Sequence, residues 1–308
     1  MTTILFSHPI CIEHDPGAQH PESTDRLRAV LKTLEGPEFN SLERREAPIA
    51  ELEAIKRVHD PDYVDAVLDA VPDSGIVHVD PDTALSPASG EAALRAAGAA
   101  CAAVDAVMTG EADNAFCAVR PPGHHAEHER AMGFCIFNNV AIAAEQARKV
   151  HGLKCVAVVD FDVHHGNGTQ HSFEGDADLF FASSHQSPFY PGTGRESDTG
   201  TANNIVNVEL PAGSGSVEFR KGWADRILPA LQEFQPELIV ISAGFDAHAS
   251  DPLAQIRLTE EDYSWVTSKL VALAQKCCQG RMVSSLEGGY DLAALASSAA
   301  AHVRALSP

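Results

Sequence analysis

The sequence is poor in positive charge: 22 Lys and Arg stand against 43 Asp and Glu, a formal charge of −21 with the 15 His taken as neutral. No cluster of Lys or Arg occurs along the chain. Binding of nucleic-acid phosphates or an anionic membrane surface calls for at least a local basic excess, so neither partner class is expected. No run of 18 apolar residues is present, and MTTILFSHPI has neither the basic start nor the apolar segment of a secretory signal. The seven cysteines (Cys11, Cys101, Cys117, Cys135, Cys155, Cys277 and Cys278) are odd in number and show no C-x-x-C spacing. They read as reduced core residues, which predicts a soluble protein of the cytoplasm. No repeat, low-complexity tract or Pro/Gly/Ser linker divides the chain, so residues 1–308 are expected to form one domain. A chain of this length can bury roughly 75% of the surface its unfolded form exposes and needs no staple to fold.

Periodicity predicts a strand over 3–7, then helices over 24–34, 51–58, 62–70 and 87–108, the last rich in Ala. From Asn114 the pattern changes. Short apolar runs (AFCAV, KCVAVVD, LFFASS, IVNVEL, ELIVISAG, RMVSSL) alternate with helical stretches at 139–150, 217–234 and 260–279 and a final Ala-rich helix. Continuous β-branched runs between helices mark buried parallel strands joined by crossovers. The expected fold is therefore α/β, a central, mostly parallel sheet with helices on both faces. The segment 187–204 is long, but its Gly and Pro suit a shaped surface loop.

The unusual polar residues lie just past the ends of those runs, where open parallel sheets bind ligands. His124 and His125 follow AFCAV in RPPGHH; Asp160, Asp162 and His164 follow KCVAVV; Asp246 follows ELIVISAG; Tyr290 follows RMVSSLEGG. Asp162 and His164, two apart, can share one divalent ion, and Asp246 would complete an Asp2His set with a fourth position open, the arrangement of a catalytic zinc. Adjacent imidazoles can divide labour, one moving the proton and one assisting as a positive neighbour. Asp160 can orient an imidazole, and the Tyr290 phenol can donate to a developing oxyanion.

The motifs RPPGHH, GFCIFNN, VVDFDVHHGNGTQ, FYPGTG, SAGFDAHASDPL and LEGGYD occur in one order along nearly the whole chain. In these the sequence resembles the zinc-dependent histone deacetylase family, which includes acetylpolyamine amidohydrolases. The resemblance implies the arginase/deacetylase fold and hydrolysis of N-acyl amides to a free amine, with one Zn2+ per chain and no organic cofactor. It makes Asp162, His164 and Asp246 the zinc ligands, His125 the general base and acid, His124 with Asp160 the assisting pair, and Tyr290 the oxyanion donor. Asn167 stands where class I members carry Asp, and so looks like class II. Gly133, Phe134 and Tyr190 would narrow an acyl-chain tunnel. Asp160, Asp162, His164, Ser183 and Ser184 match a monovalent-cation site, for K+, although core packing explains the two serines equally well.

Three other readings were weighed. An arginase-like pair of metals needs D-x-H-x-D and D-x-D, and Gly166 and His248 occupy the positions of the missing carboxylates. A catalytically weak acyl-lysine binding module is disfavoured by the presence of Tyr290. For the acetylpolyamine amidohydrolases, Leu253 stands where one such lineage carries Glu, which leans the expected substrate toward acyl-lysine in peptides or proteins, or a related small acylated amine. Asp80, Asp82, Glu13 and Glu22 are read as solvated surface charges in preference to a polyamine-binding rim. Neither the oligomeric state nor the acyl-chain preference follows from the sequence.

Overall fold

A computed structural model describes residues 2–307. Among the described residues there are ten strands: β1 (Thr3–Ser7), β2 (Glu43–Glu46), β3 (Val77–Asp80), β4 (Thr83–Leu85), β5 (Asn114–Cys117), β6 (Val156–Asp160), β7 (Leu179–Gln186), β8 (Ile205–Leu210), β9 (Leu238–Ala243) and β10 (Met282–Leu286). Eight of them form one sheet in the order β2-β1-β5-β10-β9-β6-β7-β8, and every pairing in it is parallel. Strands β5, β6, β7, β9 and β10 are buried at every position, as expected of strands covered on both faces. On one side the Ala-rich helix Ser89–Met108 packs on Asn139–His151; another helical layer joins Thr24–Thr33, Leu292–Leu306 and Glu260–Cys277. The small side chains of the Ala-rich helix are what let it lie so close: most of its residues are fully buried.

The helix starts follow local chemistry. Asp60 accepts from the Asp62 amide ahead of Pro61–Asp69, and Asn138 accepts from the Ala141 amide at 3.0 Å ahead of Asn139–His151. These side chains satisfy amides that have no partner inside the first helical turn. Gly152, in the left-handed region, ends the second of these helices.

Four features differ from the sequence reading. The segment 51–58 is helical only over Leu52–Ile55. The helix expected over 217–234 is interrupted: Ser216–Gly222 passes through a π-turn at Trp223–Ile227 into Leu228–Phe234. Pro229 lies just beyond that turn, and a proline without an amide hydrogen cannot continue regular i to i−4 bonding, so the wider turn absorbs the mismatch. Strand β2 reads ERRE and has no apolar face; pairing with β1 alone makes it a strand, and its charges protect a sheet edge. The β3–β4 hairpin was also not anticipated, and it carries Asp82 and Thr83 to the site described below.

Behind the sheet's centre, His302 is fully buried between the hydroxyls of Thr267 (2.7 Å) and Ser284 (2.8 Å). Burial depresses its pKa to about 3. A base with a depressed folded-state pKa stays neutral when folded and protonates first in the unfolded chain. Its stability contribution is therefore intact above its unfolded value near 6.5 and is lost as pH falls toward the folded value. We expect His302→Leu to flatten the loss of unfolding free energy between pH 6 and 4, measured by urea denaturation, by about 1 kcal/mol per pH unit. An unchanged slope would show that this imidazole is not held neutral.

Candidate active site

The four central strands β5, β10, β9 and β6 are sheet neighbours, and their carboxyl ends deliver side chains to a single buried point. Asp162 and His164 leave β6, Asp246 leaves β9, His124 and His125 follow β5, and Tyr290 follows β10. Ligand atoms of Asp162, His164 and Asp246 all lie within 4.8 Å of one another, and all three residues are buried. His164 Nδ1 is 3.1 Å from Asp162 Oδ1 and 3.2 Å from Asp246 Oδ2. The other carboxylate oxygens are held by backbone: Gly288 N–H donates to Asp162 Oδ2 at 2.9 Å, and Val163 N–H donates to Asp246 Oδ1 at 2.8 Å.

This donor set fits a divalent metal. Two buried carboxylates carry two negative charges that only a proton or a cation can offset, and one imidazole beside them gives the mixed N/O set that zinc accepts. Without an ion the offset falls to protons. Burial and neighbouring Asp162 push Asp246 up to about 7. Against its own burial, His164 is pushed up to about 10 by the same two carboxylates. The cradle is also tight: a Cβ on Gly288 would stand 2.1 Å from Asp246 Oδ2 and 2.6 Å from Asp162 Oδ2, so no side chain is admissible there.

The His124 and His125 rings lie against each other, tilted by 43° with centroids 4.0 Å apart, but have different partners. His124 Nδ1 meets Asp160 Oδ2 at 2.8 Å, and His125 Nδ1 meets the Asn167 side-chain oxygen at 2.7 Å. Burial disfavours charge on both rings. For His124 the carboxylates of Asp160 and Asp162 more than compensate, raising its pKa to about 10. For His125 the positive neighbours His124 and His164 add to burial and hold it well below the usual imidazole range. The surroundings thus favour charge on His124 and disfavour it on His125.

Aromatic rings wall the approach. Tyr190 meets His125 edge-on with centroids 5.2 Å apart, and Phe134 meets Tyr290 edge-on at 5.9 Å. Phe189, which the sequence reading passed over, stacks on His164 at 5.4 Å. Gly133 has φ +58°, and a Cβ there would lie 2.3 Å from His125 Cδ2; glycine lets the loop pass over the imidazole. Asp82 accepts from the Gly133 amide at 2.9 Å and the Thr83 hydroxyl accepts from the Phe134 amide at 3.1 Å, so the β3–β4 hairpin props this wall. Leu253 is half-buried, and its amide donates to the Asp251 carboxylate, which also accepts from the Tyr290 amide at 2.7 Å.

Other predicted residues fall differently. The Ser183 hydroxyl pairs with His185 Nδ1 at 2.9 Å, and the Ser184 hydroxyl accepts from the Trp223 indole at 2.9 Å, so both side chains are engaged within the protein. His248, at the position of a second-metal carboxylate, lies 3.6 Å from Glu260 and accepts from the Ser250 amide at 3.1 Å. Glu13 is exposed as expected, but Asp82 is not a free surface charge, and Glu22 is completely buried.

Glu22 belongs to a network that the sequence reading missed. It pairs with Arg120 and, at 2.8 Å, with Arg26, both guanidiniums being fully buried. Arg26 donates to the Gly289 carbonyl at 2.6 Å and lies 5.0 Å from the centre of the Tyr290 ring. The pair Glu22 and Arg26, four apart at a helix start, is the only trace of this in the sequence. Glu287, also buried, accepts from the amides of Gly123 (2.7 Å) and His124 (3.2 Å), tying the end of β10 to the histidine loop.

Residues 20–306 match the histone deacetylase domain. The chain is 40% identical to histone deacetylase 14, chloroplastic, of Arabidopsis thaliana, over 98% of this chain and 76% of that one. It is 41% identical to the histone deacetylase-like amidohydrolase of Pseudomonas aeruginosa, over 89% and 72% of the two chains. A probable deacetylase of Archaeoglobus fulgidus is 38% identical over 95% and 82%. The crystal structure of the HDA15 HD domain superimposes with a TM-score of 0.91 at 35% identity, covering 99% of this chain and 88% of that one. Fold and family thus define a hydrolase acting on amide bonds. The chain belongs to the histone deacetylase family of deacetylases and amidohydrolases.

Removing the Glu22 charge leaves two buried guanidiniums without their carboxylate. Glu22→Gln is expected to cost about 3–5 kcal/mol of unfolding free energy in urea titrations. A loss below about 1 kcal/mol would mean that the network does not hold the amino-terminal segment to the Tyr290 loop.

Proposed function

We propose that the protein is a zinc-dependent deacetylase of class II type that removes acetyl groups from acyl-lysine in peptides or proteins, or from related small acylated amines. The observation that carries this reading is the convergence of Asp162, His164 and Asp246 beside two imidazoles with different partners, His124 on Asp160 and His125 on Asn167. The three ligands would hold one zinc ion, which supplies Lewis acidity toward the amide carbonyl and makes water a nucleophile near neutral pH.

The chain's own groups then have separable tasks. His125, neutral with Nδ1 engaged by Asn167, takes the proton of the attacking water on its free nitrogen and returns it to the departing amine. His124, held cationic by Asp160, supplies positive potential beside the same centre. The Tyr290 hydroxyl donates to the oxygen that becomes negative when the amide carbon turns tetrahedral. Its phenol is pushed well above its usual pKa by burial and by Asp246, so it keeps the proton it donates. Phe134, Phe189 and Tyr190 would line a passage for an apolar chain, with Gly133 letting that wall lie against His125.

A mononuclear centre is favoured because Gly166 offers no ligand and His248 is bound to Ser250 and Glu260. For the monovalent site, Asp160, Asp162, His164, Ser183 and Ser184 remain the proposed contributors to K+ binding; the hydrogen bonds of the two serines leave each hydroxyl oxygen a lone pair. Seven free thiols and the bacterial relative favour the cytoplasm as the compartment; two other relatives bear chloroplastic in their names. Among the described residues, no helix is long and apolar enough to cross a membrane.

Two measurements test the proposal. Tyr290→Phe is expected to lower kcat on an acetyl-lysine peptide by on the order of 10²–10³, with zinc content unchanged; full activity would remove the phenol from the mechanism. Side-by-side kcat/KM values on acetyl-lysine peptides, acetylputrescine, acetylspermidine and longer acyl-lysines should favour acyl-lysine, because Leu253 offers no charge to a cationic chain. A polyamine preference of about tenfold, some 1.4 kcal/mol, would overturn that assignment.

A further inference from the structure

We propose that Glu127 is a positioning residue that fixes which nitrogen of His125 carries the proton, acting through the side-chain amide of Asn167. The inference rests on the reading of His125 as the base and names what keeps it competent.

An asparagine at this position poses a problem that an aspartate would not. Both oxygens of a carboxylate accept, whereas an amide presents an acceptor on one side and a donor on the other. If Asn167 turned its NH2 toward His125, Nδ1 would have to accept, the proton would move to Nε2, and the ring could no longer take a proton there. The local structure decides between the two orientations. Asn167 Nδ2 is surrounded by acceptors: Glu127 Oε1 at 2.7 Å, the His125 carbonyl at 3.4 Å and Met132 Sδ at 3.4 Å. The first of these is the shortest and the only carboxylate. A flipped amide would put its oxygen against the Glu127 oxygen and forfeit that bond. Asn167 Oδ1 therefore faces His125 Nδ1, which must donate, and Nε2 keeps its lone pair.

Glu127 is itself well placed. Its amide donates to the Arg130 carbonyl at 2.9 Å. Its carbonyl lies 2.9 Å from His59 Nδ1, which donates because His59 Nε2 accepts from the Asn138 amide at 2.8 Å. The second carboxylate oxygen is flanked by Arg130 at 3.7 Å and His171 at 3.8 Å. The side chain borders a cavity of about 850 Å³ lined by Arg57, His128, Arg130, His171 and Phe173, none of which belongs to the acyl passage. Glu127 thus acts from behind the base, and its partners Asn167, Arg130, His171 and His59 include none of the proposed metal ligands.

The test compares the wild type, Glu127→Gln, Glu127→Lys and the double variant Glu127→Lys/Asn167→Asp, each zinc-loaded. Readouts are kcat and KM on an acetyl-lysine peptide, melting temperature, zinc content and the 15N shifts of the His125 ring. Gln can still accept from Asn167, so Glu127→Gln should keep kcat within about threefold. Lys only donates; it should draw Asn167 Oδ1 toward itself, move the His125 proton to Nε2 and lower kcat about 100-fold or more, the scale of lost general-base catalysis, with KM little changed. Asp at 167 accepts from both neighbours, so the double variant should regain at least tenfold over Glu127→Lys and return the His125 proton to Nδ1. A Glu127→Lys variant that keeps the Nδ1 proton, or a double variant no faster than the single at equal melting temperature, overturns the proposal. Should Glu127→Lys fail to fold, Glu127→Leu replaces it: a roughly tenfold drop in kcat supports the proposal and an unchanged kcat overturns it. If the wild type hydrolyses none of the amides, the reading of His125 as base fails, while the ring shifts still decide the role of Glu127.

Discussion

Two carboxylates brought together out of water dominate this molecule. Asp162 and Asp246 repel each other where no solvent screens them, and the surrounding structure is organised to make that tolerable. Backbone amides of Gly288 and Val163 take one oxygen of each, and glycine at 288 leaves the space that any side chain would fill. The remaining oxygens converge on His164. The parallel sheet supplies the geometry, because only the carboxyl ends of adjacent parallel strands bring such separate segments to one point.

The imidazoles extend the same electrostatic logic. His124 and His125 are chemically identical, adjacent in sequence and in ring contact, yet one is given a carboxylate and the other an amide. Asp160 favours charge on His124, and burial together with that neighbouring charge disfavours it on His125. Around this pair a wider framework of Glu22, Arg26, Arg120 and Glu287 ties the amino-terminal helix, the histidine loop and the Tyr290 loop together. The Gly-Gly turn before Tyr290 is thereby held by a buried arginine on its carbonyl.

Much of this was legible beforehand, for definite reasons. The buried strands show because parallel strands covered on both faces must be continuously apolar, and the chemistry-bearing residues show because they follow those runs directly. Strand β2 was hidden because pairing with β1, rather than its own pattern, makes ERRE a strand. The interruption at Trp223–Ile227 was hidden because apolar periodicity cannot distinguish a π-turn from a regular helix. Glu22 was misread for a related reason: an acid near the amino terminus is usually solvated, and its burial follows from two arginines, one of them 98 residues distant. Asn167 stood out in the sequence, whereas its partner Glu127 did not, since the bond between them crosses 40 residues and leaves no periodic trace.

We propose that Asp162, His164 and Asp246 form a single divalent-metal site on which the remaining arrangement depends. It is tested most directly by titrating zinc into metal-stripped protein while following heat and melting temperature. One zinc per chain with a clear rise in melting temperature is expected, with loss of both effects in Asp246→Ala. Binding of two equivalents, or undiminished binding in that variant, would contradict it.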